Sequence, residues 1–78
     1  MDKLKALLQE TFPHIDFEKE KNLVARGLLD SFDMVSIIAL VTENFGVVVT
    51  VKYITPQNFE SVENIWSMIQ ELSEEGKK

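Results

Sequence analysis

The segment from residue 31 to residue 45 constrains the fold more than any other part of this 78-residue chain. Asp30 or Ser31 can act as its N-cap, and Asp33 is placed to complete a short capping box. Gly46 follows it as a C-terminal stop. The sequence therefore predicts a helix over residues 31–45 with one face in the core. That face carries apolar residues at intervals of three and four, namely Met34, Ile37, Ile38, Val41 and Phe45.

Two shorter stretches have the same helical spacing. The first predicts a helix over residues 3–12, which Pro13 ends. The second predicts a helix over residues 62–73, followed by a frayed tail over residues 73–78. The apolar residues of the first pattern are Leu4, Leu7, Leu8 and Phe12, and those of the second are Val62, Ile65, Trp66, Ile69 and Leu72.

The stretches between these helices are harder to assign. Residues 13–29 predict a long loop anchored by scattered apolar side chains, and long loops are often functional. The β-branched run Val47–Val51 favours a strand, but nothing else in the chain resembles a strand partner. We therefore expect an extended connection there, leading into a short helical turn near Val51–Ile54.

Together these elements predict an all-α fold, with residues 1–78 forming a single domain. It is a bundle of three main helices and a short third helix before the last, with a long loop after helix 1. The predicted core combines the helical faces, namely Leu4, Leu7, Leu8, Ile37, Ile38, Val41, Phe45, Val62, Ile65 and Ile69.

Charge and composition exclude several classes of function. The chain has no cysteine, so it has no disulfide and no thiolate nucleophile. Residues 30–75 carry eight acidic side chains against Lys52 alone, a net charge of −7, which disfavours nucleic acid and favours basic protein partners. No apolar run reaches the roughly 18 residues of a membrane span. We expect a monomeric, cytoplasmic protein that binds no nucleic acid and does not insert into a membrane.

The sequence has no motif for catalysis or for metal binding. His14 is the single histidine and has no cysteine or carboxylate pair beside it, which indicates a solvated loop residue. Trp66 falls within a helical apolar stripe, which indicates core packing. We therefore predict no catalytic residue and no metal site.

A second stripe runs along the helix over residues 31–45, two residues out of phase with the core stripe. A small domain should not expose such a stripe without reason. We predict that it is a docking face, in which acidic residues steer basic partners toward apolar contacts. The apolar contacts of this docking face are Phe32, Val35 and Ala39, and its acidic residues are Asp30, Asp33 and Glu43.

The residues around Ser31 resemble a known attachment site. Gly-Leu-Leu-Asp-Ser-Phe-Asp over residues 27–33, followed by an apolar helix that ends in Glu-Asn-Phe-Gly over residues 43–46, resembles the phosphopantetheine attachment region of acyl carrier proteins. The signature of that family is Asp-Ser-Leu, and Phe32 replaces the Leu as it does in D-alanyl carrier proteins. Residues 54–62 are similar to the Thr-Pro-Glu-Asn-Phe stretch of discrete carriers in specialised pathways, so the resemblance covers nearly the whole chain.

This resemblance implies a carrier protein of the four-helix acyl-carrier fold rather than an enzyme. A transferase of that system attaches 4′-phosphopantetheine from coenzyme A to the serine, here Ser31. The thiol of the arm then holds acyl or aminoacyl groups as thioesters and presents them to other enzymes. The implied partners are the phosphopantetheinyl transferase, an acyl- or aminoacyl-activating ligase, and a downstream acyltransferase or synthase.

Two positions depart from the pattern of fatty-acid carriers, which typically have Glu where this chain has Ser36 and Thr42. The reduced acidity favours a carrier that is dedicated to one pathway and loaded by its own ligase. Two alternatives remain at this point. One is an unmodified carrier-like interaction module, and the other is a small enzyme or an unrelated helical adaptor. Modification of Ser31 separates the carrier from both.

Overall fold

A computed structural model describes the backbone of residues 2–75 and the side chains of residues 2–73. This part of the chain contains no strand and folds as three α-helices: α1 (Asp2–Thr11), α2 (Ser31–Phe45) and α3 (Val62–Glu75). Two short 3₁₀ helices, Val51–Tyr53 and Pro56–Phe59, lie between α2 and α3. The all-helical class that the sequence predicts is thus confirmed, and the arrangement is that of a small helical bundle.

The helix bounds agree closely with the sequence patterns. α2 has the predicted bounds, and the short helical turn predicted near Val51–Ile54 is the first 3₁₀ helix. The predicted end of the last helix at residue 73 is corrected to Glu75, because no helix-breaking residue precedes Gly76. Residues 76–78 of the predicted tail lie outside the described residues.

The β-branched run after α2 has no strand pairing: residues 47–50 belong to no helix or strand, and Val51 begins the first 3₁₀ helix. Val47 is buried, Val48 is 72% exposed and Val49 is half-buried, so successive side chains point alternately toward and away from the core. A single extended segment satisfies the β preference of these residues without a second strand. The expected connection without strand pairing is thus confirmed over residues 47–50, and the backbone is extended at Thr50.

The core includes most, but not all, of the residues that helical spacing predicts. Leu7, Ile38 and Phe45 are corrections, because the structure leaves each of them half-buried at the margin of the core. Trp66, predicted to be a core residue, is also only half-buried, and the edge of its ring packs against Phe45 with centroids 5.8 Å apart. The predicted residues that are buried are Leu4, Leu8, Ile37, Val41, Val62, Ile65 and Ile69.

The long loop after α1 supplies a large share of the core. Its buried side chains interleave with those of the helices, and the rings of Phe12 and Phe17 meet edge to face at 6.3 Å. These contacts fix a connection that has little secondary structure of its own. The buried residues from this region are Phe12, Ile15, Phe17, Leu23 and Leu29.

Candidate functional site

Ser31 is the first residue of α2, and it is exposed to solvent. The residue before it, Asp30, has an extended backbone and forms the N-cap. The backbone N–H of Asp33 donates to Asp30 Oδ1 at 2.9 Å, and the backbone N–H of Asp30 donates to Asp33 Oδ2 at 3.2 Å. The capping box with Asp33 is confirmed, and of the two candidate caps that the sequence offered, Asp30 and Ser31, the structure selects Asp30.

The cap leaves the serine hydroxyl available for chemistry. Because Asp30 supplies the oxygen that caps the helix, Ser31 is not needed for that task. The first N–H groups of a helix also have no intrahelical acceptor, and the helix dipole places partial positive charge at the same end. An anionic group attached to the Ser31 side chain would therefore lie beside a favourable electrostatic environment.

The predicted docking face is exposed along most of its length. Phe32 is 77% exposed and Val35 is 61% exposed, and because they lie three residues apart on α2 their side chains are neighbours on one helix surface. Ala39 and Glu43 are exposed further along α2, whereas Asp33 is half-buried because it takes part in the cap. Glu43 lies twelve residues after Ser31, a helical rise of about 18 Å.

A shallow cleft between α1 and α2 continues the docking face. Ala39 and Glu43 form part of its α2 wall, and Glu10 lies on its α1 wall. Two carboxylates thus flank the far end of the docking face, which adds to the negative charge that a basic partner would meet. Sequence periodicity did not indicate Glu10, because its relation to α2 depends on how the two helices pack.

Glu60 connects α3 to the loop that leads to Ser31, and sequence reasoning did not single it out. Its carboxylate oxygen Oε1 accepts the backbone N–H of Val24 at 2.7 Å and that of Ala25 at 3.0 Å. Its backbone carbonyl accepts the N–H of Leu23 at 2.9 Å. No local motif signals these contacts, since their partners lie more than 30 residues apart in the chain.

The loop turns sharply between Leu23, which Glu60 contacts, and the start of α2. The backbone carbonyl of Leu23 accepts the N–H groups of Leu28 at 2.9 Å and Leu29 at 3.1 Å. Gly27 has a φ of 76°, in the left-handed region that favours glycine. Leu29 is buried and directly precedes Asp30, so this turn delivers the chain to the start of α2.

Other candidate groups contribute little to a site. His14 is exposed, and its ring meets that of Phe12 edge to face at 6.4 Å. Within the described residues, no group of three or more His, Cys, Asp or Glu side chains is arranged to hold a metal ion. Over the same residues, none of the helices has the length and apolar character needed to cross a membrane.

Comparisons with protein-family models, with curated proteins and with solved structures find no match to this chain. The chemistry of the site therefore carries the functional argument. It consists of an exposed hydroxyl at a capped helix N-terminus, next to exposed apolar side chains and acidic residues. An alcohol of this kind becomes a nucleophile when a base removes its proton.

Proposed function

We propose that this chain is an acyl carrier protein that bears 4′-phosphopantetheine on Ser31 and presents acyl or aminoacyl thioesters to partner enzymes. One observation carries the proposal: Ser31 is exposed as the first residue of α2, while Asp30 and Asp33 cap the helix in its place. The Gly-Leu-Leu-Asp-Ser-Phe sequence around Ser31, which resembles that of carrier proteins, supports it.

The proposed modification fits the chemistry of the helix end. The Ser31 hydroxyl oxygen attacks the phosphorus of coenzyme A that bears pantetheine, and the bond from that phosphorus to adenosine 3′,5′-bisphosphate breaks. The hydroxyl proton passes to a base of the transferase, which explains why Ser31 needs no neighbouring histidine. The product is a phosphodiester anion, and the N-terminus of α2 favours an anion at that position.

The exposed docking face supports a function through successive partners. A carrier must meet a transferase, a loading ligase and a downstream acyltransferase or synthase through one surface near its arm. Phe32 and Val35 offer apolar contact area, and Asp30 and Glu43 attract basic partners. In the proposed role the chain is a monomeric substrate of these enzymes in the cytoplasm, and it catalyses no reaction itself.

The fold and the acidity favour a dedicated carrier. The three α-helices and the 3₁₀ helix Val51–Tyr53 agree in number and order with the helices that the carrier resemblance implies, which supports the proposal. Ser36 and Thr42 stand where fatty-acid carriers typically have Glu, which reduces the charge that their synthases would meet. We therefore favour a carrier that serves one specialised pathway and is loaded by its own ligase.

The proposal is tested by incubation with coenzyme A and a broad-specificity phosphopantetheinyl transferase, followed by intact-mass measurement. The wild type should gain one phosphopantetheinyl group, and Ser31→Ala should gain none while it keeps the helical circular dichroism of the wild type. Ser67→Ala, which removes an exposed hydroxyl from α3, is the matched control and should be modified normally.

Ser61 is the other serine at a helix start, and the structure separates it from Ser31. Ser61 is only 5% exposed, and its Oγ accepts the N–H of Asn64 at 3.1 Å as the cap of α3. It is thus closed to a transferase. Modification of Ser31→Ala would overturn the site, and a folded wild type that several transferases leave unmodified would overturn the carrier function in favour of an unmodified interaction module.

A further inference from the structure

The turn over residues 23–29, which leads to Ser31, is fixed by a small number of contacts. Residues 24–27 are half-buried or exposed, and the turn lacks a regular helix or strand that would fix it. Leu23 and Leu29 are both buried, with 0% and 1% of their surface exposed, so they anchor its two ends. The contacts that fix the backbone between these anchors therefore determine the position of Asp30 and Ser31 at the start of α2.

Two residues outside this turn hold it: Glu20 pairs with the Arg26 side chain, and Glu60 binds the backbone. One carboxylate oxygen of Glu60 accepts two successive N–H groups, those of Val24 and Ala25, and the Glu60 carbonyl accepts the N–H of Leu23. Hydrogen bonds to a carboxylate are stronger than those between neutral groups. The three contacts fix three consecutive residues relative to the start of α3.

Glu60 is itself rigidly placed. It follows the 3₁₀ helix Pro56–Phe59 and precedes the cap of α3 at Ser61. Its neighbours Phe59 and Ser61 are both buried, as is Val62. Because the backbone on both sides is packed into the core, the Glu60 carboxylate is a fixed reference point rather than a mobile surface group.

The hydrogen bonds continue from Glu60 toward Ser31 without a gap. The Glu60 carboxylate holds the N–H of Val24, whose own carbonyl accepts the N–H of Gly27 at 3.0 Å. The Glu60 backbone carbonyl holds the N–H of Leu23, whose own carbonyl accepts the N–H groups of Leu28 and Leu29. Asp30 follows directly and caps the helix through Asp33. Removal of the Glu60 carboxylate leaves the backbone contact to Leu23 in place but frees the N–H groups of Val24 and Ala25. The effect then reaches the start of α2 along the turn rather than through the docking face.

We infer that Glu60 is a positioning residue for the modification of Ser31: its carboxylate fixes the turn over residues 23–29 and so sets where the Ser31 hydroxyl meets a transferase. The inference rests on the proposed function for its role in transfer. It assigns Glu60 no contact with coenzyme A or with a partner. Since Glu60 lies outside the docking face and most of that face is on α2 beyond the turn, loss of the carboxylate should lower the rate of the chemical step much more than it weakens carrier affinity.

The test compares Glu60→Ala with Glu60→Gln. Gln keeps an acceptor oxygen at the same distance from the backbone and should retain the contacts to Val24 and Ala25, whereas Ala removes them. Glu63→Ala is the matched control, because it removes a nearby carboxylate of α3 that pairs with Lys21 instead of the turn. Two readouts are measured: the kcat and KM of phosphopantetheinyl transfer, and amide hydrogen exchange.

For Glu60→Ala we expect faster amide exchange at Val24, Ala25, Leu28 and Leu29. We also expect a fall in kcat of roughly 10- to 100-fold, with KM for the carrier within about twofold of the wild type, as misplacement of a reacting group predicts. Glu60→Gln and Glu63→Ala should behave as the wild type in both readouts. If Glu60→Ala does not fold, Glu60→Asp replaces it, since Asp keeps the charge but withdraws the carboxylate by one methylene.

Three results would overturn the inference: unchanged kcat despite faster exchange in the turn, unchanged exchange at Leu28 and Leu29, or a Glu60→Gln variant as impaired as Glu60→Ala. The exchange readout needs no transferase. A wild type that stays unmodified would therefore end the proposed function, while the exchange at Leu28, Leu29 and Asp33 would still decide whether Glu60 fixes the start of α2.

Discussion

Asp30 and Asp33 each accept the backbone N–H of the other, so two acidic residues beside Ser31 are held in a closed capping box. The carboxylates thereby stabilise the start of α2 as well as adding negative charge to the docking face. Asp33 is consequently a poor choice for testing partner attraction alone, because any substitution there also removes a cap contact.

Removal of the Asp30 side chain should weaken the start of α2. Asp30→Ala should lower the free energy of unfolding by about 0.5–2 kcal/mol, because the N–H of Asp33 loses its acceptor. Asp30→Asn keeps an acceptor oxygen and should cost less. Urea unfolding followed by circular dichroism measures both, and equal losses would show that charge, rather than the cap, stabilises the helix.

The apolar part of the docking face should matter for binding and not for folding. Val35→Ala removes a 61% exposed side chain from α2, and Ala has the higher helix propensity, so stability should change by no more than about 0.5 kcal/mol. Its kcat/KM for phosphopantetheinyl transfer should fall. Val48→Ala makes the same change at a 72% exposed position outside the docking face and should transfer normally.

Charge reversal at the far end of the docking face should slow encounter with basic partners. Glu43→Lys should raise KM for a transferase or ligase, because it replaces an attractive charge with a repulsive one. Added salt should reduce the difference in KM between Glu43→Lys and the wild type, since charges are screened beyond roughly 8–10 Å. Glu18→Lys changes the net charge equally from the loop after α1, and a similar rise in its KM would leave only a net-charge effect.

The loop after α1 should be as important to stability as the helices are. Leu23→Ala should cost about 2–5 kcal/mol, a value typical of fully buried leucines, although Leu23 lies outside every helix. Leu4→Ala in α1 provides the comparison, since both side chains are 0% exposed. Thermal unfolding measures the stability of both variants. A Leu23→Ala variant as stable as the wild type would contradict a role of the loop in the core.

The ion pair between Lys21 and Glu63 gives stability a small dependence on pH. Lys21 Nζ donates to Glu63 Oε2 at 2.6 Å, and this hydrogen bond, together with one from the Glu63 backbone, lowers the pKa of the Glu63 carboxyl below its ordinary value of 4.5. A lowered pKa in the folded state stabilises the fold above pH 4.5, and this contribution is lost as the pH falls through the lowered value.

Glu63→Gln should therefore be slightly less stable than the wild type at pH 7 and should approach it in acid. Both side chains of the pair are about half exposed, so the difference at pH 7 should stay below about 1 kcal/mol and shrink in salt. Urea unfolding at pH 7 and pH 3 measures it. A difference that grows in acid would contradict a lowered pKa for the Glu63 carboxyl.

The sequence by itself determined the elements whose signals are local. The i, i+3, i+4 spacing, a cap at Asp30 or Ser31 and the stop at Gly46 predict α2, because caps and helical periodicity act within one or two turns. The same local signals placed Ser31 at a helix start. The expectation that Val47–Val51 lacks strand pairing also followed from sequence, since no partner segment exists to complete a ladder.

Only the tertiary structure determined how deeply some helix residues are buried and which contacts fix the loop before α2. Periodicity places Leu7, Ile38 and Phe45 on apolar faces, but how far each is buried depends on the angle at which the helices pack. The contacts of Glu60 with Val24 and Ala25 join residues more than 30 positions apart, and no local propensity encodes them. Such contacts arise only once the core has brought distant backbone together, which is why the geometry around Ser31 required the folded chain.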